Sequence, residues 1–370
     1  MNWPVRISAA FLLAITLLPL LPSGRWYIRW WDFPRLQVCF LLALLLSYFG
    51  WYLLRAGSWN FESGFWLLSL VAAMIWQGSH ILPFSPIWQT EVADAKANAP
   101  TFKVLVSNLE FENFRNAEQV VDELREERAD VLLLIEVNQQ WMESLQGLRG
   151  QFRWHHDEVK EDGLGICLWS NMPIADAETR FIISSRRASI WATLRSDQGQ
   201  NINFIGVHPT PPGLLDETGD SRRDSRVRDA ELVTVAREIA ERRRESWIVA
   251  GDFNDVAWSH TTRLFKRISG LKDPRIGRSF MGTFIAQCPP CRCPIDHVFV
   301  SQGFEIAKLA RKRISGSDHF AVIVKLHLTQ EDAGTNPATK GDDAKDARQM
   351  VEQGKQDARE RGVKTDSTPQ

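Results

Sequence analysis

Ile248-Val-Ala-Gly-Asp-Phe-Asn254 decides how this chain is read. Its apolar and small opening residues fit a short strand buried on both faces. Asp252 and Asn254 then leave the strand on either side of Phe253. A strand end holds a side chain rigidly while leaving it open to a cleft, so an acid and an amide here suggest chemistry. Alone, the same residues would also fit a turn.

The pattern recurs along the chain. Val104-Leu-Val-Ser-Asn108 ends in an amide, Leu132-Leu-Leu-Ile-Glu136 in a carboxylate and Phe204-Ile-Gly-Val-His208 in an imidazole. Ser315-Gly-Ser-Asp-His319 opens a final strand with Asp318 beside His319. Pro294-Ile-Asp-His297 puts Asp296 at a strand start. Further strands are expected over 165–169, 190–194 and 202–207. Amphipathic or charged helices are expected over 117–128 and 224–244. Many strands with few helices between them indicate an α/β sandwich of two sheets. The polar strand ends together supply hard oxygen ligands suited to Mg2+ or Mn2+, two imidazoles, and a carboxylate to orient one of them.

Ser-Asn108-Leu, Leu-Leu-Ile-Glu136-Val, Gly-Val-His208, Gly-Asp252-Phe-Asn254, Ile-Asp296-His-Val-Phe-Val and Ser-Asp318-His319 occur in an order that resembles the endonuclease/exonuclease/phosphatase superfamily. That superfamily includes deoxyribonuclease I, abasic-site endonucleases, inositol polyphosphate 5-phosphatases and bacterial sphingomyelinases. The resemblance covers roughly 101–328. It implies a four-layer α/β sandwich with its site where the two sheets meet, and a phosphate ester as substrate. It also implies roles. Glu136, with Asn108 and Asp318, would bind the metal. Asp252 would orient or deprotonate the attacking water, and Asn254 would hydrogen-bond the phosphate or that water. His319, held by Asp296, would stabilise the transition state. His208 would bind phosphate or protonate the leaving group. The segment Arg222-Arg-Asp-Ser-Arg-Val-Arg228 offers cations for substrate binding, Arg228 among them, or else a solvated helix face.

The first ninety residues fall outside that resemblance. Apolar runs near 7–22, 36–54 and 65–82 suit membrane helices, with Trp26, Trp30, Trp31, Trp51, Trp59 and Trp88 at or between their ends. The expectation is a multi-pass anchor over 1–90 in a bacterial-type plasma (inner) membrane, then a linker over 91–100. Arg25, Arg29 and Arg35 on one side, against Arg6 and Arg55 on the other, place the first loop and the C-terminal domain in the cytoplasm. An oxidised cysteine cluster would argue the reverse. Cys288, Cys291 and Cys293 could form a zinc site, a loop disulfide or unpaired thiols.

Residues 329–370 lack aromatics and alternate acids with bases, so a disordered tail is expected. The net charge of -1 excludes a globally basic nucleic-acid binder but not a local basic groove. The leading expectation is a membrane-tethered, metal-dependent phosphoesterase without an obligate protein partner. Its substrate would be nucleic acid or a lipid head group, phospholipid or sphingomyelin. A non-catalytic scaffold built on a decayed enzyme is the other class.

Overall fold

The computed structural model describes residues 3–21, 23–57, 59–213, 224–329 and 334–365. Its strands are β1 (Phe102–Asn108), β2 (Val131–Ile135), β3 (Trp154–Glu158), β4 (Ile166–Ser170), β5 (Ile174–Arg180), β6 (Ser189–Arg195), β7 (Asn201–Val207), β8 (Ser246–Asp252), β9 (Asp296–Val300), β10 (Phe304–Arg313) and β11 (Phe320–Leu328). They form a six-stranded sheet, β10-β11-β1-β2-β4-β3, and a five-stranded sheet, β5-β6-β7-β8-β9.

Period-2 alternation builds the layers. Val104 and Val106 of β1, with Leu133 and Ile135 of β2, face Phe204, Ile248 and Ala250 across the inter-sheet core. Leu105, Leu132 and Leu134 point the other way, beneath the Ala117–Glu126 helix. Ile205, Val249 and Phe299 pack under the helices Arg226–Glu241 and His260–Ser269. The result is helix, sheet, sheet, helix: the expected four-layer sandwich.

Topology gathers the polar strand ends. β1 and β2 run parallel, as do β7 and β8, so Asn108, Glu136, His208 and Asp252 all leave at C-terminal ends. β11 runs antiparallel to β1, and β9 antiparallel to β8 with Asp296 opposite Asp252. The starts of β9 and β11 therefore reach the same edge.

Three strands escaped the sequence reading: β3, β5 and β10. Each is a sheet edge. These three are polar and partly exposed, so they lack the apolar run by which the buried edge strand β9 was read.

The N-terminal helices are Trp3–Leu17, Arg35–Ala56 and Phe61–Ile81. The spans Trp3–Leu20, Arg35–Arg55 and Phe61–Phe84, of mean hydropathy 1.7, 1.8 and 1.5, are long and apolar enough to cross a membrane. Gln77, a blemish in the third apolar run, faces inward. Its amide donates to Thr16 Oγ1 at 3.0 Å and accepts from Arg35 Nη1 at 2.8 Å. Arg35 in turn bonds Asp32 at 2.6 Å, and the Asp32 carbonyl accepts from the Trp258 indole at 2.6 Å. One buried polar chain thus ties all three apolar helices to the sandwich.

Two expectations need correcting. The segment 91–100 is not a free linker: Val92 is buried, and Ala93 and Ala95 bond the backbone of Ile306 beside a bulge in β10. The tail is not disordered where it is described. Asp343–Glu360 is a helix lying on Arg226–Glu241, burying Ala347, Val351 and Ala358. Composition missed it because the buried stripe is made of small residues, which need little apolar bulk when helices approach closely. Residues 330–333 and 366–370 lie outside the described residues. Of the three clustered cysteines, Cys288 and Cys291 form a disulfide and Cys293 is a buried thiol.

Gly354 sets the closeness of the tail helix. A Cβ there would meet Ala230 Cβ at 2.2 Å and Arg226 O at 2.6 Å. Gly354→Val should lower stability by about 1–3 kcal/mol, as overpacking does. Hydrogen exchange should show the lost protection concentrated in 343–360; unchanged exchange there would contradict the packing.

Candidate active site

The gathered strand ends line a cleft of about 630 Å³, whose walls include Glu136, His208, Asp252, Asn254, Asp318 and His319. Asn108 links two of these wall residues. Its Nδ2 donates to Glu136 Oε1 at 3.0 Å and to Asp252 Oδ2 at 3.3 Å, joining the two sheets. His208 Nε2 lies 3.8 Å from each of those same oxygens.

On the opposite wall His319 Nδ1 donates to Asp296 Oδ2 at 2.8 Å, and His319 Nε2 lies 3.7 Å from both Asp252 Oδ2 and Asp318 Oδ1. The Phe284 ring packs on the imidazole, centroids 4.9 Å apart. Ser317 Oγ donates to the Asn108 carbonyl at 2.9 Å and accepts from His319 N at 3.0 Å, so the start of β11 is pinned to the end of β1.

Backbone geometry here is unusual. Glu136, Asn254 and Glu110 hold φ of 64°, 51° and 59°, the left-handed region that non-glycine residues avoid. The departure at Glu136 turns its carboxylate back toward Asn108, and Phe111 N holds its Oε2 at 3.2 Å. Gly251, at φ 145°, lets β8 approach β7 just before Asp252: a Cβ would meet Val207 O at 1.9 Å.

Burial pushes the Asp252 carboxyl up to about 7, with His319 opposing and Asp296 and Glu136 reinforcing. Burial alone would lower His319. The Asp296 and Asp252 carboxylates outweigh it and raise the imidazole to about 10. His208 goes the other way: burial, then Arg187, hold it well below its ordinary value, so it is neutral. Burial also raises Asp318. The cleft therefore carries one charged and one neutral imidazole, as an acid and an acceptor.

The donor set suits a hard cation. Glu136, Asp252 and Asp318 offer carboxylate oxygens to one cleft, and Asp296 Oδ1 is buried without a hydrogen-bond partner among the described residues. The tightest group of ligand-type atoms is Asp252, Asp296 and His319, within 4.8 Å of one another. It differs from the expected set of Asn108, Glu136 and Asp318. Asp296 accepts from His319 Nδ1, so Nε2 is the ring atom that faces Asp252 and Asp318.

Arg228 does not bind substrate here. It is buried, paired with Asp229 at 2.7 Å and Asp255 at 3.4 Å, and its Nη1 supports the Asn254 carbonyl at 2.7 Å. Neither the cation reading nor the solvated-face reading foresaw a buried prop. Arg222 and Arg223 lie outside the described residues. The cations lining the cleft are instead Arg186 and Arg187, and Arg187 Nη1 sits 2.8 Å from His208 Nε2. Their signal was Ser-Ser-Arg-Arg187, an arginine pair entering a buried strand. Glu110, which accepts from Asp318 N at 3.1 Å, was also missed.

Residues 105–319 match the model of the Endonuclease/Exonuclease/phosphatase family. Among solved structures, that of TDP2 from D. rerio complexed with single-strand DNA product aligns with TM-score 0.50 and 15% identity, covering 61% of this chain and 99% of that one. Sphingomyelinase C from Streptomyces griseocarneus aligns with TM-score 0.46 and 16% identity, covering 61% and 99%. An endonuclease/exonuclease/phosphatase from Beutenbergia cavernae gives TM-score 0.47 and 15% identity, covering 62% and 72%. No curated protein matches by sequence.

The His319–Asp296 pair makes stability depend on pH in a defined sense. The folded imidazole is raised from 6.5 to about 10, so its contribution is fully present below 6.5 and lost as pH rises through 10. Asp296→Asn should lower Tm most below pH 6.5, with the gap to wild type narrowing toward pH 10. A gap independent of pH would contradict a charged His319.

Proposed function

Because the chain belongs to the endonuclease/exonuclease/phosphatase family, we propose that it is a membrane-anchored, divalent-cation-dependent phosphoesterase. The observation that carries this reading is the convergence of Asn108, Glu136 and Asp252 with the His319–Asp296 pair in one cleft. Phosphoryl chemistry needs positive groups around a trigonal-bipyramidal centre and a base for water, and this cleft has both.

Each side chain then has a role. Glu136, Asn108 and Asp318 would hold Mg2+ or Mn2+. The ion, when bound, would neutralise a phosphate oxygen and stabilise the leaving oxygen. Asp252 orients the attacking water and takes its proton. Its Oδ1 is held by Asn254 N at 2.8 Å, leaving Oδ2 toward the cleft. His319, kept charged by Asp296, donates to the phosphoryl oxygens as negative charge builds. Asn254 donates from Nδ2 to Pro209 O at 3.0 Å, so its amide oxygen is the atom left to accept from the water. His208 and Arg187 act together on the phosphate, the arginine supplying the charge.

The cleft's position favours a lipid head group over nucleic acid. The run from Asp252 to Trp258 reaches at most roughly 20 Å when extended, and Trp258 bonds Asp32 in the loop between the first two apolar helices. Phe284, on the cleft wall, belongs to the same apolar cluster as Phe33 and Phe84 of the anchor. If the apolar helices span a bilayer, the reacting centre stands close to its surface.

Full-length protein in detergent should hydrolyse bis-nitrophenyl phosphate with Mg2+ or Mn2+ and lose that activity with EDTA. Glu136→Ala and His319→Ala should each lower kcat by about 10²–10⁴. Phosphatidylcholine, phosphoinositide or sphingomyelin vesicles should be cut in preference to plasmid. Activity unchanged in Glu136→Ala would end the enzyme reading, and preferential cleavage of plasmid would make the protein a tethered nuclease.

A further inference from the structure

A second cavity, of about 600 Å³, lies where the third apolar helix meets the sandwich, away from the catalytic strand ends. One wall is the end of that helix, with Trp76, Ser79, Pro83 and Phe84. Trp76 and Ser79 are exposed on a helix that would cross the bilayer, so the cavity opens toward the side where lipid would be.

The other wall is basic. Arg263, Lys266, Arg267, Lys272 and Lys340 line it, with Glu91 as the acidic residue. Two of these cations are structural: Lys266 pairs with Glu91 at 2.6 Å and Arg267 with Asp343 at 2.8 Å. The side chains of Arg263, Lys272 and Lys340 have no carboxylate partner among the described residues. Arg263 Nη1 instead meets His80 Nε2 at 3.0 Å, while His80 Nδ1 bonds the Trp76 carbonyl at 2.9 Å. That arrangement uses Nε2 as acceptor and Nδ1 as donor, which describes a neutral ring. The guanidinium makes no ion pair among the described residues, with Asp32 the carboxylate that acts on it from a distance.

Unpaired cations gathered beside tryptophan at the end of a membrane span match the chemistry of an anionic phosphate head group, with the indole and phenyl rings meeting the glycerol and upper acyl region. We propose that this cavity is a resident site for an anionic phospholipid, held by Arg263, Lys272 and Lys340 against Trp76 and Phe84. It is separate from the catalytic cleft and rests on the membrane placement of the three apolar helices, not on the phosphoesterase reading. The lipid would seat the sandwich on the bilayer at a fixed angle.

The test is native mass spectrometry of the full-length protein released from nanodiscs of equal phosphatidylglycerol and phosphatidylcholine. Wild type should retain phosphatidylglycerol selectively. The triple variant R263Q/K272Q/K340Q should lose that retention roughly a hundredfold, at about fivefold per cation near a lipid surface. R263K should keep it. The triple variant should melt within a few degrees of wild type, which reports on folding independently of any catalytic activity. Equal retention of phosphatidylcholine, or full retention by a triple variant that melts like wild type, would overturn the site. Displacement of the lipid by millimolar inorganic phosphate would overturn its lipid source.

Discussion

A buried carboxylate with too little positive charge around it governs this structure. Asp252 is 2% exposed at the seam between the sheets. Asn108 reaches it from the other sheet, and both imidazoles point at it. Removing an acid from water is unfavourable unless it is paired or protonated, and burial drives Asp252 toward protonation at about 7. The sandwich confines Asp252, Glu136 and Asp296 at the seam and lines the same cleft with Glu110 and Asp318. A cation there would relieve the repulsion and convert the acids into ligands and a base.

The central part of this arrangement was legible in the sequence for a physical reason. Inner strands read as apolar runs, and the first polar residue after each run marks the site edge. Asn108, Glu136, His208 and Asp252 stand out that way, Asp296 by opening such a run, and all come together. Arg228 and Arg187 show the limit. Both are arginines near a cleft residue, but whether a cation faces solvent or is buried against Asp229 and Asp255 depends on helix rotation and on acids distant in sequence. The edge strands and the tail helix were hidden for a related reason. β3, β5 and β10 leave most of their residues partly or fully exposed, and the tail helix buries alanines, so neither produces a long apolar signal.

The three apolar helices add a constraint that the family likeness does not cover. Asp32, Arg35, Gln77 and Thr16 form a buried hydrogen-bonded chain at one end of the apolar helices, and Trp258 continues it into the sandwich just past β8, the strand that ends in Asp252. Breaking one member would strand buried polar groups, so the link is directional as well as tight. This couples the orientation of the cleft to that of the three apolar helices.

Calorimetric titration of Mn2+ into the full-length protein at pH 6.5 tests the central claim most directly, with the heat measured in buffers of different ionisation enthalpy. Burial raises Asp252 to about 7, so part of it is protonated there, and binding a cation beside it should release protons and make the observed heat depend on the buffer. Glu136→Gln should lose the binding, and Asp252→Asn should lose the proton release. Binding without buffer dependence, or binding undiminished in Glu136→Gln, would contradict a cation site built on these buried acids.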